Sequence, residues 1–409
     1  MTAGKGGDPR ALTITFLRWT FWRAVFHRGY VLTSSLYFVV TAHLSASQLL
    51  VLATVMSITL ALSDIPLGVW SDSFSRKWPL VIGHAFLAAG MVITGLVTAY
   101  PLLVVTQVLW GLGWAFSTGA DVAWITDELD HPGLMAQVLT ARARWDLIGG
   151  SVGMVAFGLL AWAVGLGTAT VVTGVAMAGL GLSVAVTFVE DNVTAVTVGG
   201  WTSSVAIFKR GLNLSRRDSD ISLVLVATII INAAAMISWV FPRQLVNEGF
   251  PSNPVLWYTA LGVLSSAVGV LALHAVGARV NGVGVARRTY ALACFLGLLG
   301  LVILAYAPTA IVGSTGILLV TGISFNVTRS ISTIWVNRRT PGEIRATMHS
   351  FLSQAESIGE IAGGVALAGL ARLSGVVPTI VAAGALIALT GVIVGRSPAD
   401  RPAFPPPAD

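Results

Sequence analysis

Residues 64–78 read DIPLGVWSDSFSRKW and stand between two long apolar stretches of the chain. The first apolar stretch ends at Asp64–Leu67, and the second begins at Trp78. The interval between them carries one carboxylate, Asp72, and a basic pair, Arg76 and Lys77. A short polar connection with apolar runs on both sides indicates a loop that joins two membrane-spanning helices.

The composition supports this interpretation. Hydrophobic residues make up 55% of the 409 residues and charged residues only 10%, whereas a soluble domain has about 25% charged residues. The bilayer then acts as the solvent, and the spans have to be helices because lipid cannot satisfy free backbone groups. The formal charge of +6 indicates membrane orientation rather than nucleic-acid binding, because the basic residues lie in short loops.

Twelve apolar segments follow one another along the chain, and most reach the ~20 residues that a span requires. They are residues 18–41, 46–68, 78–99, 101–126, 142–163, 168–189, 220–241, 254–274, 289–307, 311–335, 346–371 and 377–395. We predict an all-α membrane protein with 12 transmembrane helices. Its predicted organisation is an N-terminal six-helix bundle (1–189), a cytoplasmic linker (190–219) and a C-terminal six-helix bundle (220–409).

The basic residues predict the orientation of these helices. With the N-terminus in the cytoplasm, most of the 24 Lys and Arg residues fall on the cytoplasmic side, and only Arg243 and Arg372 fall outside. The opposite orientation would violate the positive-inside rule at nearly every loop. The preference for Arg over Lys is typical of GC-rich bacterial genomes. We therefore expect a multi-pass protein of the bacterial inner membrane with both termini in the cytoplasm.

The loop at residues 68–77 resembles the loop motif of the major facilitator superfamily of transporters. That motif reads roughly Gly-x-x-x-Asp-(Arg)-x-Gly-Arg-(Lys/Arg) and lies between the second and third helices. The matching residues are Gly68, Asp72, Arg76 and Lys77, while serines replace the optional Arg and the inner Gly. The resemblance extends to the six-plus-six arrangement. It implies two bundles related by pseudo-twofold symmetry, with helices 1, 4, 7 and 10 lining a central cavity.

The resemblance also implies a role for the loop. In the family this motif holds the two halves together on the cytoplasmic side and helps to balance outward- and inward-facing states. Asp72 is then expected to pair with a nearby Arg or with the start of helix 11, after Arg345, where the helix dipole favours a carboxylate. Arg76 and Lys77 would meet anionic head groups. The alternative is a loop that only fixes topology through its charge.

Several ionisable residues lie inside the first five apolar segments. Arg28 is about ten residues into helix 1, roughly 15 Å deep, where an unpaired Arg is expensive. Asp64, Asp121 and Asp146 are its candidate partners, because all three lie toward the same half of the membrane. Two readings stay open: a fixed ion pair within the N-terminal half, or a contact to substrate or proton.

Helix 11 carries two carboxylates one turn apart. Glu356 and Glu360 have i, i+4 spacing and lie near the middle of the bilayer by residue count. Two carboxylates that close, with little water, should not both ionise, so one of them would hold a proton near neutral pH. Arg329 on helix 10 could neutralise one of the two. Proton coupling and a structural Arg–Glu pair are the two interpretations.

Aromatic residues are frequent in the segments that the resemblance assigns to the cavity. They could line a pocket for a flat, apolar or cationic substrate, although each Trp alone is as well explained by packing or by an interfacial belt. The substrate-cavity candidates are Trp110, Trp114, Trp124, Trp239 and Trp335.

Some family marks favour an exporter, and others are absent. Asp64 and Pro66, just ahead of the loop, are similar to a variant common in bacterial drug-exporter branches. The exporter Arg on helix 4 is replaced by Gln107, and the Gly-Pro signature of helix 5 is absent from the run Gly149–Gly153. No nucleotide-binding loop, zinc spacing or nucleophile–base arrangement appears. We expect no cofactor, no metal and no enzymatic activity.

The favoured hypothesis is a monomeric secondary transporter that exports a hydrophobic or amphipathic small molecule, coupled to protons, by alternating access. One alternative is an importer or symporter of a small polar metabolite. Another is a membrane sensor that transports nothing. The substrate is not readable from these patterns.

The predicted orientation can be tested by cysteine labelling in intact cells. After replacement of the single cysteine, Cys294, new cysteines are placed at Ser204 in the linker and at Ser252 between segments 7 and 8. We expect an impermeant thiol reagent to label position 252 and not position 204. Labelling at 204 and protection at 252 would reverse the topology.

Overall fold

A computed structural model describes residues 9–129, 131–190, 209, 213–216, 218–250, 253–277, 283–341 and 344–396. Across these residues the regular structure is helical, without a strand. The prediction of an all-α fold with twelve helical segments is confirmed for this part of the chain. Most of the 190–219 linker lies outside the described residues, as do the ends of both termini.

The first six segments are α1 to α6. Two of them are irregular: α1 ends in a π-helical turn, and α4 is interrupted after Ser117. Their bounds are α1, Pro9–Leu36 with the turn Tyr37–Thr41; α2, Ala46–Phe74; α3, Lys77–Leu96; α4, Tyr100–Ser117 and Ala120–Leu129; α5, Pro132–Val164; and α6, Leu166–Thr187.

The last six segments are α7 to α12. Here α7 contains a 3₁₀ turn, and α10 contains a π-helical stretch. Their bounds are α7, Ser219–Ala235, Met236–Val240 and Phe241–Glu248; α8, Pro254–Gly277; α9, Val283–Ala305; α10, Ala310–Ile317, Leu318–Ser324 and Phe325–Arg339; α11, Arg345–Ser374; and α12, Val376–Arg396.

The chain divides into two compact units. Unit 1 consists of Met1–Leu44, Val55–Thr197 and Ser252–Val263, and unit 2 of Ser45–Thr54, Val198–Pro251 and Leu264–Asp409. The first turns of α2 therefore belong to unit 2, and the first half of α8 belongs to unit 1. The division of the chain into domains at the linker alone stays a prediction.

The same helix pairs recur in each half of the chain. In unit 1, α1 packs along α5, and α3 packs along α4 and α6. In unit 2, α7 packs along α11, and α9 packs along α10 and α12. Each partner is displaced by six helices from one half to the other, which is the pattern of an internal repeat.

Glycines permit the closest of these helix contacts. On α5, Gly149 and Gly153 lie one turn apart, and a Cβ atom on either would overlap a carbonyl oxygen of α1. On α11, Gly359 and Gly363 have the same spacing, and a Cβ atom on either would overlap the backbone of α7. Helix association in lipid depends on packing, so small residues at these positions let the two backbones approach.

Two more glycines occupy matching turns. Gly165 connects α5 to α6 with φ of 91°, and Gly375 connects α11 to α12 with φ of 84°. Only glycine adopts such left-handed conformations without a steric penalty, which explains its use directly after a helix end. The repeat thus extends from helix pairs to individual turn residues.

The connection between α2 and α3 is shorter than the sequence predicts. We expected the second helix to end near Gly68, but α2 continues to Phe74 with Pro66 inside it, and only Ser75 and Arg76 separate it from α3. The apolar run marks the part of a helix that meets lipid, whereas the helix itself continues beyond that part. For the same reason α5 begins at Pro132, ahead of its apolar segment.

Two helices differ from the others in polarity. Within the described residues, ten helical segments are long and apolar enough to cross a membrane, and α1 and α11 are not among these ten. Arg23 and Arg28 lie within α1, and Glu356 and Glu360 lie within α11. Charged side chains avoid lipid, so these two helices must turn polar faces toward protein or water.

The α7–α11 contact yields a stability prediction. Gly363→Ala places a methyl group on the backbone of Ala233, and no rotamer change can relieve that overlap. We expect overpacking to cost about 1–3 kcal/mol and to lower the apparent melting temperature of the purified protein. Gly369→Ala on the same helix is the matched control, because nothing lies within 4 Å of a Cβ atom there. Equal melting temperatures for both variants would contradict this packing.

Candidate functional site

Cationic and aromatic side chains of α1 and α4 form one cluster in unit 1. We call Arg23, His27, Tyr30, Trp110 and Trp114 the α1–α4 cluster. The ring of Tyr30 stacks on Trp110 at 4.5 Å between centroids, and His27 stacks on Trp110 at 5.3 Å. His27 also lies 4.9 Å from Trp114, and the guanidinium carbon of Arg23 is 4.8 Å from the Trp114 ring.

Helical spacing explains how this cluster forms. Arg23 and His27 are four residues apart, Tyr30 follows three residues later, and the two tryptophans are four apart, so each set shares one helix face. Trp110 and Trp114 were predicted as cavity residues from the sequence. His27 and Tyr30 were not, although their spacing from Arg23 was a usable signal.

Hydrogen bonds fix the polar residues that flank the cluster. His84 Nδ1 lies 2.6 Å from the carbonyl oxygen of Leu80, and Trp19 Nε1 lies 3.2 Å from His84 Nε2. A carbonyl can only accept and an indole N–H can only donate, so His84 is neutral with its proton on Nδ1. The Thr94 hydroxyl donates to Gly90 and therefore accepts from Tyr30, 3.1 Å away. These hydrogen bonds hold the side chains beside the cluster in fixed orientations.

The sequence predicts Asp121 as a candidate partner of Arg28, but the structure pairs Asp121 with Arg142 of α5. Arg142 donates to Asp121 at 2.5 Å, and the Asp121 side chain is only 3% exposed. Asp121 is thus bound by an arginine of α5, because α5 begins far enough upstream to bring Arg142 beside α4. Arg28 is exposed and has no ion pair among the described residues.

Asp64 and Asp146 are the other two candidate partners of Arg28. Asp146 is exposed, and Asp64 is partly buried at the end of an apolar span. Neither forms an ion pair within the described part of the chain. The proposed roles of Arg28, Asp64 and Asp146 stay predictions.

Three of the predicted cavity tryptophans have other surroundings. Trp124 is 1% exposed, stacks on Phe188 at 4.0 Å and donates to the carbonyl oxygen of Val189. It is a packing residue and does not line a cavity. Trp335 is 4% exposed and lies under Arg287, so it too is enclosed. Trp239 is partly buried in the 3₁₀ turn of α7.

A second charged group lies within unit 2, between α10 and α11. Arg329 Nη2 donates to Glu356 Oε2 at 2.9 Å. The Arg329 side chain is 72% exposed and that of Glu356 is 20% exposed. Glu360, one turn further along α11, is partly buried. Since a charged side chain in a span does not face lipid, the exposed side of this pair must face water.

The short α2–α3 connection is held by a carboxylate that the sequence did not single out. Glu190, just after α6, accepts from the backbone N–H groups of Arg76 at 2.6 Å and Lys77 at 2.8 Å, and from the hydroxyl of Ser75 at 2.7 Å. A carboxylate at the N-terminus of α3 satisfies free N–H groups and suits the helix dipole. Glu190 thus ties the start of the linker to the loop motif.

Arg76 pairs with Asp127 near the end of α4, at 3.2 Å between Nε and Oδ2. The sequence had assigned Arg76 to lipid head groups, and the structure provides a protein partner instead. Lys77 lies 6.0 Å from the Trp78 ring. Gly68 and Asp72 lie within α2, but their side-chain surroundings are not described, so the gating role of the motif stays a prediction.

Unit 2 has an ionic cluster at the corresponding helix ends. Asp220 at the start of α7 is 6% exposed and accepts from Arg287 of α9 at 2.8 Å and from Arg339 of α10. Asp218 caps α7 and also binds Arg339, at 3.3 Å. The α8–α9 connection lacks an Asp of its own, and Asp220 supplies the carboxylate from another helix. These residues lie 67 positions apart or more, so local sequence patterns give no signal for them.

The Asp220 cluster yields a second stability prediction. Asp220→Asn would remove the carboxylate that pairs with Arg287, which is 4% exposed. Removing one member of a buried pair costs about 3–5 kcal/mol, so we expect strongly reduced membrane abundance and thermal stability. Asp146→Asn is the control, because Asp146 is exposed and forms no ion pair among the described residues. Equal abundance of the two variants would show that the cluster contributes little.

Neither the α1–α4 cluster nor the Arg329–Glu356 pair resembles a metal centre. Within the described residues, no three His, Cys, Asp or Glu side chains are placed to hold a metal ion. The α1–α4 cluster combines stacked rings with the positive charge of Arg23. The Arg329–Glu356 pair is an ion pair between α10 and α11, and its role in proton coupling stays a prediction.

Comparisons with known proteins agree with the helix arrangement. The solved structure of the nucleoside transporter NupG is similar with a TM-score of 0.76 at 15% identity, over 94% of this chain and 98% of that one. The bacterial homologue of the human lysosomal transporter Spinster, inward-facing and unoccupied, gives 0.71 at 14% identity, over 95% and 97%. The peptide transporter POT, solved as a single-residue variant, gives 0.72 at 14% identity, over 96% and 95%.

At these identities the likeness shows the fold alone. No curated protein sequence matches the chain significantly. The family profile described as Major Facilitator Superfamily matches residues 12–364, which is most of the sequence. The chain therefore belongs to the Major Facilitator Superfamily, a family of membrane transporters.

Proposed function

We propose that the protein is a proton-coupled secondary transporter that exports a small amphipathic organic molecule. The observation that carries this proposal is the Arg329–Glu356 ion pair, which lies within two helices of a membrane transporter and is partly open to water. By residue count, both side chains lie roughly 15 Å from a helix end. An ion pair at that depth has no evident use in a protein that only anchors itself in lipid.

The coupling step follows from the chemistry of this pair. When Glu356 is ionised, it neutralises Arg329 and the pair can stay closed. When Glu356 takes up a proton, Arg329 loses its counter-ion, and the group carries a net positive charge. The two protonation states therefore differ in their preference for a closed pair, and a proton can shift a conformational equilibrium only through such a difference.

We further propose that the α2–α3 loop acts in gating. Arg76 is held by Asp127, and Glu190 caps α3 at the same place. A loop anchored at two points can transmit a helix movement. Gly68, Asp72, Arg76 and Lys77 are the gating residues that we propose, with Asp72→Asn expected to change the balance of access states.

Uptake of a polar solute is the second candidate. The α1–α4 cluster contains Arg23 and His27 beside its aromatic rings, and a polar solute needs such contacts. The similar structures include a nucleoside transporter and a peptide transporter. In both candidates the protein is a monomeric, multi-pass component of a bacterial inner membrane, with no enzymatic activity.

Everted membrane vesicles test export and coupling together. Vesicles are energised with lactate, the pH gradient is followed by quenching of an acridine dye, and anionic, cationic and neutral amphipathic compounds are added in turn. A compound exported in exchange for protons should reverse the quenching. Uptake by intact cells without dequenching in everted vesicles would favour the importer instead.

Glu356→Gln should abolish this dequenching while exchange of the same compound without a gradient continues, because the side chain can no longer release a proton. Arg372→Gln, at the far exposed end of the same helix, is the control and should behave like the unaltered protein. Membrane abundance is measured in parallel. Normal gradient-driven transport by well-expressed Glu356→Gln protein would rule out this residue as the coupling group.

A further inference from the structure

Arg23 lies inside a membrane helix and has no counter-ion among the described residues. It lies in α1, roughly 20 Å from the helix start at 1.5 Å per residue. Its guanidinium carbon is 4.8 Å from the Trp114 ring and 5.3 Å from the Trp19 ring. Its Nε is buried and has no hydrogen-bond acceptor, and no carboxylate among the described residues forms an ion pair with it.

The nearby carboxylates do not remove this excess charge. Asp121, Arg142 and Asp146 are the charged groups that interact electrostatically with Arg23. Asp121 is already bound by Arg142 at 2.5 Å, and Asp146 is exposed. Arg28, the residue directly after His27, adds a further positive charge. The region therefore holds three arginines against two aspartates.

Two more buried nitrogens in this region have unused hydrogen-bonding capacity. His27 Nδ1 and Arg142 Nε are both enclosed and without a partner in the described part of the chain. Buried polar groups in folded proteins are normally hydrogen-bonded. Buried nitrogens without hydrogen-bond partners beside an unpaired cation are the arrangement expected where a ligand supplies the missing partners.

The walls of the cluster define the rest of the ligand. Trp110 is buried and already stacks on Tyr30 and His27. Trp114, in contrast, is partly exposed and lies 4.9 Å from His27. A partly exposed aromatic ring such as Trp114 can stack on a flat ring of a ligand. Arg23 repels a cation, so the cationic substrates that the tryptophans alone would allow are disfavoured.

We propose that the α1–α4 cluster binds an organic anion with an aromatic ring, its acidic group on Arg23 and its ring against Trp114. This inference rests on the proposed transport function and specifies the substrate class. A guanidinium binds a carboxylate or a sulfonate through two parallel hydrogen bonds, so both acids are suitable. The anion supplies the counter-ion that the protein does not.

Equilibrium binding to the purified protein tests the proposal without any gradient. The probes are 2-naphthoate, 2-naphthalenesulfonate, the neutral 2-naphthamide and the cationic 2-naphthylmethylamine, which share one ring system. Titration calorimetry in nanodiscs should show at least one of the two anions binding about tenfold or more tightly than the amide or the amine. Cyclohexanecarboxylate should bind more weakly than naphthoate, because it cannot stack.

The matched variants are Arg23→Gln and Arg18→Gln, since Arg18 is an exposed arginine of the same helix outside the cluster. Arg23→Gln should weaken anion binding about tenfold or more and abolish the preference for the anion over the amine, whereas Arg18→Gln should retain both. Arg23→Lys keeps the positive charge but lacks the planar guanidinium group. It should therefore bind the anion more weakly while still preferring the anion over the amine. The ratio of anion to amine affinity does not depend on the fraction of folded protein.

Three results would overturn the proposal: tighter binding of the amine or the amide than of both anions, an unchanged anion preference in Arg23→Gln, or no binding of either anion. These results are independent of the coupling experiment. If the anion binds through Arg23 but Glu356→Gln transports normally, the coupling assignment fails and the binding site stands. If coupling depends on Glu356 but Arg23→Gln binds as before, only the substrate class is wrong.

Discussion

A bilayer offers no hydrogen bonds to a peptide group and solvates a charge poorly, and the architecture of this protein follows from that constraint. Every backbone group in a span has to bond within its own helix, which accounts for the helical character of the described chain. Each charged side chain has to find a partner, a water-filled space or the end of a helix. The positions of the few charged side chains therefore indicate which parts of the protein interior are polar.

Once the helices have formed, lipid gives them little reason to associate, because it is as apolar as their side chains. Glycines on α5 and α11 provide the close backbone contacts that hold α1 and α7 in place. The consequence for function is direct, since Arg23 and His27 lie on α1 and Glu356 lies on α11. The packing that stabilises each unit also sets the position of its ionisable groups.

The charges fall into two classes with different energetics. Asp220 with its two arginines and Asp121 with Arg142 are closed pairs, in which desolvation is offset by mutual attraction. Among the described residues Arg23 forms ring contacts but no ion pair; such ring contacts contribute about 2 kcal/mol when desolvated, against a penalty of several kcal/mol for an unpaired buried ion. The closed pairs are thus explained by structure alone, whereas the position of Arg23 is consistent with the proposed anion site.

The sequence alone determined the fold class, the helix count and the family. The length of an apolar run and the residues of a loop motif are local properties that can be recognised in the sequence itself. It also identified Arg329, Glu356, Trp110 and Trp114 as residues of interest. It could not assign Arg142 to Asp121, Glu190 to the start of α3, or Asp220 to Arg287, and it placed Trp124 in a cavity rather than in the core. Those contacts join residues far apart in the chain. Only the tertiary structure decides which helix faces meet and which charges remain unpaired.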